Sequence, residues 1–183
     1  ADCPRRVGWG YDGVGLFAPV GLYGGPDDLR RFVDEAHACN LGVILDVVYN
    51  HLGPSGNYLG QFAAEYFTTK HANEWGQAIN FDGEHSGPVR EFFLTNVAYW
   101  IEEYHIDGLR LDATQQIFDD SPEYIVTAIG RQVRQAAGGR NDAMVVISAD
   151  ALATHQSVVN VLDAARRAGL SRLTYAAPGG TGR

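Results

Sequence analysis

The segment GVILDVVYN (42–50) constrains the fold of this chain more than any other. It is a continuous run of apolar, largely β-branched residues, whereas a strand with one solvent-facing side alternates apolar and polar residues. Continuous runs are typical of parallel strands that helices cover on both faces. We therefore expect a buried parallel strand over 42–50 and a fold of the α/β class.

The same kind of run recurs along the chain and predicts further strands over 13–19, 107–113, 144–149 and, more weakly, 172–177. Apolar residues at helical spacing predict helices that open at Pro26, cover 89–104, run from Ser121 and Pro122 to Gly138 and Gly139, and cover 158–168. The long stretch 51–87 shows no clear periodicity, and a loop of that length is usually functional.

This alternation of strands and helices predicts βαβ units around a parallel sheet, either doubly wound or part of a barrel. The chain has no Gly-x-Gly-x-x-Gly turn between a strand and a helix and no P-loop. A doubly wound sheet that binds nucleotides is therefore disfavoured.

Composition narrows the class of protein. With 183 residues, 45% hydrophobic and 20% charged, the chain is expected to form one globular domain over residues 1–183. A net charge of −8 argues against nucleic acid or a membrane as partner, and no apolar run reaches the roughly 20 residues of a membrane span. Cys3 and Cys39 form no disulfide framework, so a cytoplasmic protein with free thiols is expected.

Polar residues stand at or near the carboxyl ends of the predicted strands, where barrel enzymes place their active sites. Charged residues inside apolar strands are costly unless they are paired, so we expect a converging cluster. The plainer alternative is an Arg–Asp pair that only holds the sheet together. The candidate residues are Tyr11, Asp46, Asn50, His51, Arg110, Asp112 and Asp150.

Arg110 and Asp112 lie two residues apart, so their side chains point to the same face of a strand. We expect the guanidinium to lower the pKa of Asp112 and keep it ionised, as a nucleophile toward a sugar anomeric carbon must be. Neutral His51 is expected to donate a hydrogen bond to a sugar hydroxyl. Tyr11 and Trp75 are candidate platforms for a sugar ring, with ordinary packing as the alternative.

At these residues the chain resembles the α-amylase family of glycoside hydrolases. DVVYNH (46–51) and GLRLDA (108–113) are similar to the first and second conserved segments of that family, and WGYDGVGLFAP precedes them. Within the family, NHLGPSGNYL, WGQAINFDG (75–83) and GLRLDATQQIFDDSPEYI (108–125) resemble maltooligosyltrehalose trehalohydrolases. The resemblance covers residues 7–140. It implies a partial (β/α)8 TIM barrel, about strands 2–6 of the α-amylase-type catalytic domain.

The resemblance also implies an activity, namely retaining hydrolysis of the α-1,4-glucosidic bond next to a terminal trehalose, which releases trehalose. Two carboxylates about 5–5.5 Å apart would carry it, and no metal or organic cofactor is required. Asp112 would be the nucleophile and Arg110 its positioning partner, while Asp46 would be structural. The residues implied to contact the substrate, maltooligosyl trehalose or another α-glucan, are Tyr11, Asn50, His51 and Trp75.

The chain departs from the family after the second of these segments. The family places a Glu acid/base after the next strand, whereas VVISADALATH (145–155) has Asp150 there, one methylene shorter. We therefore expect slow hydrolysis by this chain alone. Another α-amylase-type hydrolase, a branching or debranching enzyme, and an inactive carbohydrate-binding remnant remain as alternatives.

Overall fold

The parallel sheet predicted from the sequence forms the centre of the structure. The computed structural model describes residues 10–138 and 143–148, together with Val159, Asp163, Tyr175 and Ala176. Four parallel strands pair in the order β1-β4-β5-β6, with the bounds Ile44–Val47, Gly108–Leu111, Met144–Ser148 and Tyr175–Ala176. A separate antiparallel hairpin consists of β2 (Phe67–Asn73) and β3 (Gly76–Ile79).

Within residues 10–138 the α-helices are α1 (Pro26–Ala38), α2 (Leu59–Phe62), α3 (Ser86–Glu103) and α4 (Ile125–Ala136). Pro26 begins α1 at the position where its missing N–H costs nothing, and the Asp28 carboxylate accepts a 2.8 Å hydrogen bond from the Gly25 N–H. Helices α3 and α4 link successive parallel strands, as the βαβ prediction requires. No helix among the described residues is long and apolar enough to cross a membrane.

The core lies between the sheet and helices α3 and α4. Their buried faces meet the apolar residues of β4 and β5, which are almost fully buried. Gly108 begins β4 at a close approach of two backbones, because a Cβ there would lie 2.4 Å from the Met144 carbonyl oxygen. The principal core residues are Val89, Phe93, Val97, Ile101, Leu109, Leu111, Ile125, Ile129, Val133, Val145 and Ile147.

The strand predicted over 13–19 was wrong, since this segment is irregular. Its Leu16 carbonyl oxygen accepts hydrogen bonds from Asn96 Nδ2 at 2.9 Å and Trp100 Nε1 at 3.2 Å, both on α3. The ring of Phe17 packs against Phe92 and Tyr99 of the same helix. Side chains of α3 therefore satisfy and anchor a backbone that the apolar pattern alone assigned to the sheet.

Ser121 and Pro122 were predicted as the N-cap and the first-turn residue of a helix, but α4 begins three residues after Pro122, at Ile125. The Asp119 carboxylate accepts a 2.5 Å hydrogen bond from the Ile125 N–H, and Ser121 itself bonds to Asp119. Asp119 thus satisfies a backbone N–H of the first turn from outside the helix, and Ser121 is not the N-cap, which is Tyr124. The predicted end is confirmed at Gly138, which follows the helix with a left-handed φ of 60°.

Two further predictions need correction, and a third falls mostly outside the described residues. The stretch 51–87 is not structureless, because α2 and the β2–β3 hairpin lie within it. Strand β1 is shorter than 42–50 and is not buried on both faces, since Ile44 is 43% exposed. Most of the helix predicted over 158–168 lies outside the described residues. Val159 and Asp163 are the described residues in this range, and both are helical.

Candidate active site

Two charged residues face each other across neighbouring strands of the sheet. Asp46 of β1 is the register partner of Arg110 of β4, and Arg110 Nη1 lies 2.5 Å from Asp46 Oδ2. Asp112 follows the last residue of β4, and its Oδ1 lies 3.0 Å from the same nitrogen. The carboxyl ends of parallel strands thus bring two carboxylates onto one guanidinium.

Arg110 also contacts the segment before α1 and the neighbouring strand β5. Its Nη1 donates to the Tyr11 hydroxyl at 3.4 Å, while Nη2 donates to Ser148 Oγ at 2.8 Å. The Tyr11 hydroxyl in turn donates to Asp46 Oδ2 at 3.2 Å. Gly53 helps to hold this segment in place, because a Cβ there would lie 2.1 Å from the Asp12 carbonyl oxygen. We refer to Tyr11, Asp46, Arg110, Asp112 and Ser148 as the strand-end cluster.

The charge balance of this cluster corrects one prediction. Burial raises the pKa of Asp112, nearby Arg110 lowers it, and Asp46 raises it, so that the net direction is upward. We predicted that the pKa of Asp112 would be lowered, and this net direction was wrong. The effect of Arg110 taken alone is nevertheless a lowering, as predicted. One guanidinium is shared by two carboxylates, and it compensates neither fully.

Asn50 and His51 connect β1 to this cluster through the backbone of Asp112. Asn50 Nδ2 donates to the Asp112 carbonyl oxygen at 2.9 Å, which orients the Asn50 carbonyl oxygen toward His51 Nδ1. This contact assigns the proton to Nδ1 of neutral His51 and leaves Nε2 as an acceptor. Burial lowers the pKa of His51, so the ring is neutral near pH 7. In this tautomer Nε2 accepts a hydrogen bond from a hydroxyl rather than donating one.

The tip of the β2–β3 hairpin brings Trp75 to the same place. Trp75 is 41% exposed, and the centroid of its ring lies 5.7 Å from that of His51. Asn73 fixes this tip, because its Nδ2 donates to the Asn50 carbonyl oxygen at 2.8 Å and its Oδ1 accepts from the Trp75 N–H at 2.9 Å. An exposed indole beside a neutral imidazole forms an apolar and weakly polar wall suited to a sugar ring.

The structure therefore brings together all the sequence-predicted site residues that it describes. Asp150 lies outside the described residues. Sequence reasoning missed Ser148 and Asn73, which hold Arg110 and the hairpin tip. Ser148 ends a strand beside Arg110 and could have been found as a strand-end polar residue. The contacts of Asn73 depend on the hairpin, which periodicity did not reveal.

A second polar group lies between the hairpin and the segment after β4. Ligand atoms of His71, Asp82 and Asp120 lie within 4.8 Å of one another, close enough to hold a metal ion. Lys70 Nζ already lies 2.7 Å from Asp82 Oδ2 and 2.9 Å from Asp120 Oδ2. An ammonium group therefore takes the place that a cation would occupy, and we assign no metal to this group.

Comparison with known proteins gives long matches to one group of enzymes. The chain is 50% identical over 135 residues to malto-oligosyltrehalose trehalohydrolase of Saccharolobus solfataricus, covering 74% of this chain and 24% of that protein. It is 46% identical over 131 residues to the Deinococcus radiodurans protein of the same name, covering 72% and 21%. The chain thus spans less than a quarter of the length of these relatives.

Solved structures give the same result for the fold. A crystal structure of an α-amylase-like protein from Salmonella typhimurium matches with a TM-score of 0.70 and 40% identity, over 80% of this chain and 24% of that one. The chain belongs to the α-amylase family. It corresponds to part of the family's (β/α)8 barrel, so the partial-barrel prediction is confirmed.

One further match points elsewhere. The family model described as biopolymer transport protein ExbD/TolR matches residues 106–178. This range is less than half of the chain, and it includes β4 with Arg110 and Asp112. Because the long matches above account for the fold as a whole, we assign no function from this one.

Proposed function

We propose that this chain carries the nucleophile side of the active site of a retaining α-glucoside hydrolase that releases trehalose from maltooligosyl trehalose. The observation that carries the proposal is the position of Asp112 at the carboxyl end of β4, paired with Arg110 and adjoining neutral His51. Barrel enzymes place their catalytic groups at this end of the strands.

In the proposed first step, an Asp112 carboxylate oxygen forms a bond to the anomeric carbon. The bond between that carbon and the leaving oxygen breaks, and the leaving oxygen takes a proton from an acid, for which we propose Asp150. In the second step a water oxygen forms a bond to the anomeric carbon while the bond between that carbon and Asp112 breaks. The water gives one proton to Asp150, which restores the acid. Two displacements at one carbon retain its configuration.

Incomplete compensation of Asp112 supports this role. A largely buried carboxylate that shares one guanidinium with Asp46 keeps part of its negative charge available for a developing oxocarbenium-like centre. Tyr11 stays protonated because burial and Asp46 raise the pKa of its hydroxyl. A protonated phenol can lie against a sugar without adding charge.

The names of the relatives and the wall formed by Trp75 and His51 support trehalose as the recognised end. An α-1,1-linked end has no reducing carbon, so an apolar platform recognises it by shape. A full-length protein that carries this segment is therefore expected to cleave maltooligosyl trehalose with a much higher kcat/KM than a maltooligosaccharide of equal length. Equal values would leave another α-amylase-type hydrolase, or a branching or debranching enzyme, as the better assignment.

The nucleophile can be tested without the acid. We would incubate the chain with 5-fluoro-α-glucosyl fluoride, whose fluoride leaves without a proton donor, and map the adduct by peptide mass spectrometry. The expected result is one glucosyl adduct on Asp112 that Asp112→Asn abolishes. An adduct on Asp46, or sugar binding without any adduct, would contradict the proposal, and the latter would favour a carbohydrate-binding remnant.

We further propose a cytoplasmic location and an α-glucan as the partner. The Cys39 thiol is free and exposed, and exposed thiols persist in a reducing compartment. The net charge of −8 agrees with a neutral ligand rather than a polyanion.

A further inference from the structure

A pocket separate from the strand-end cluster lies between α2 and the β2–β3 hairpin. Its volume is about 420 Å³, within the range of roughly 300–1,000 Å³ that is typical of small-molecule sites. It is therefore large enough for a mono- or disaccharide. The side chains that give it chemical character are Asn57, Gln61, Phe67, Thr68, Thr69 and Gln77.

None of the residues that line this pocket is charged. Anions and cations are therefore poor ligands for it, because nothing would compensate their lost hydration. The polar lining consists of amides and hydroxyls, which both donate and accept hydrogen bonds. Groups of this kind suit a neutral ligand that carries many hydroxyls.

Most of these polar groups are not committed to the protein. Among residues 10–138, no side-chain hydrogen bond holds Gln61, Thr69 or Gln77, each of which is exposed. Asn57 uses only its Oδ1, which accepts from the Leu59 N–H at 3.3 Å, so its amide hydrogens stay free. Thr68 Oγ1 accepts from the Lys70 N–H, and its hydroxyl hydrogen also stays free. The pocket thus presents donors and acceptors to a ligand.

Phe67 supplies an apolar wall. Its ring is half-buried, and a Cβ built on Gly60 would lie 3.6 Å from its edge. Absence of a side chain at Gly60 keeps the approach to this ring open. An aromatic wall next to amides and hydroxyls matches the two faces of a pyranose, which offers C–H groups on one side and hydroxyls around its rim.

We propose that this pocket binds one or two glucose units of an α-glucan as a second subsite, separate from the strand-end cluster. The choice of glucose rests on the proposed function, whereas the choice of a neutral polyhydroxyl ligand rests on the pocket alone. Gln77 follows Gly76, which lies against His51 and Leu52. One short strand thus contributes to both sites, which would raise the affinity for long glucans.

The test is a titration of the isotope-labelled 183-residue chain with maltotriose, followed by ¹H–¹⁵N NMR. Saturable shifts are expected for the side-chain amides of Asn57, Gln61 and Gln77, with a much weaker response to mannitol. Shifts of Arg110 in the strand-end cluster, and of Trp75 beside His51, would report the candidate active site separately. Shifts at Trp75 and Arg110 without shifts at the three amides would overturn this inference but leave the proposed function intact. Shifts at the three amides alone would support this inference and contradict the proposed function.

Variants decide whether these shifts come from direct contact. Thr69→Val and Gln77→Leu remove hydrogen-bonding groups at exposed positions, and each is expected to weaken maltotriose binding by about fivefold. Gln135→Leu, an exposed position on α4, is the matched control and should bind like wild type. Unchanged affinity in both pocket variants, or an equal loss in the control, would overturn the proposal.

Discussion

Asp82 and Asp112 are both largely buried carboxylates with a cationic partner, yet their pKa values move in opposite directions. Asp82 lies after β3 and Asp112 after β4. The side chain of Asp82 is 1% exposed and that of Asp112 is 23% exposed. The more deeply buried group nevertheless has the lower pKa, so burial alone does not decide the direction.

Hydrogen bonds explain the low value at Asp82. Burial raises its pKa, but donation from Lys70, His71 and the Asp120 N–H outweighs this and lowers the pKa to about 2. All three donors lie within 3.0 Å of Oδ2. Asp82 thus connects the hairpin to the segment after β4, where Phe118 also stacks on His71.

Asp112 has no comparable set of donors. Its carboxylate contacts Arg110, and Asp46 competes for the same guanidinium. The difference teaches that three donors compensate the charge of Asp82 through Oδ2, although its buried Oδ1 has no hydrogen-bond partner among the described residues. Asp112, in contrast, shares one guanidinium with Asp46. A carboxylate whose charge the protein compensates stabilises a loop, whereas one that is only partly compensated is available to a ligand.

The largest expected effect on stability is that of Asp82→Asn. A pKa lowered from 3.8 to about 2 corresponds to about 2 kcal/mol of stability at pH 7. That contribution is present above the ordinary pKa and is lost as the pH falls from about 4 to about 2. Urea unfolding at pH 7 should therefore show a loss of about 2 kcal/mol, and the loss should shrink toward pH 2.

Asp120→Asn is the matched control. The Asp120 side chain is 72% exposed, and Lys70 is the one donor of Asp82 that its carboxylate also contacts. It should cost less than about 0.5 kcal/mol. A similar loss in both variants would mean that Lys70, rather than the set of donors on Asp82, stabilises the hairpin.

This contrast also marks what the sequence could predict. Parallel strands meet at their carboxyl ends, so the convergence of Asp46, Arg110 and Asp112 could be predicted from their places in apolar runs. The pKa direction of Asp112 could not, because it depends on how Asp46 shares Arg110. Asp82 was missed because its donors lie 11 to 38 residues away and a register shift interrupts β2.

Local pattern failed elsewhere for similar reasons. The segment 13–19 has the composition of a strand, but its partners are side chains of α3 that only the tertiary fold supplies. Ser121 has the right residue type for a cap, but Asp119 reaches the first turn of α4 and is held there by Arg90. In both places a distant partner overrode a local preference.

A smaller effect of opposite sign is expected for Asp112→Asn. Burial raises the pKa of Asp112 in the folded state, so ionising this carboxyl costs more in the folded than in the unfolded chain. Stability therefore falls as the pH rises from the ordinary pKa to the folded-state pKa. The neutral amide removes that cost. The variant should unfold at a higher urea concentration than wild type at pH 7, with no difference near pH 3. Destabilisation at pH 7 would show that the ion pair with Arg110 outweighs the cost of burial. Asp112 would then stabilise the fold as Asp82 does.

His51 should give a still smaller pH dependence near neutrality. Its folded-state pKa lies below the ordinary value of 6.5, so the unfolded chain binds more protons just below that pH. Stability should therefore fall as the pH is lowered from about 7 through 6.5. Urea unfolding of His51→Gln between pH 5 and 8 should show a flatter profile than wild type, and an identical slope would assign the effect to another histidine.

The smallest expected effect is the change in the His51 pKa when its charged neighbour is removed. Burial lowers this pKa, and the charges of Asp12 and Asp112 partly offset the decrease. Asp112→Asn removes one of these charges while the backbone carbonyl that accepts from Asn50 stays in place. The His51 ring should then titrate at a lower pH than in wild type, as followed by ¹H–¹³C NMR of its Cε1–H. Asp82→Asn, at the other cluster, should leave the His51 pKa unchanged, and His51→Gln identifies the signal among the six histidines. If Asp112→Asn leaves that pKa unchanged, the two groups are too well screened to act together on a neutral sugar. A decrease confined to this variant would show that Asp112 and His51 share one low-dielectric site, as a nucleophile and its neighbouring hydrogen-bond acceptor must.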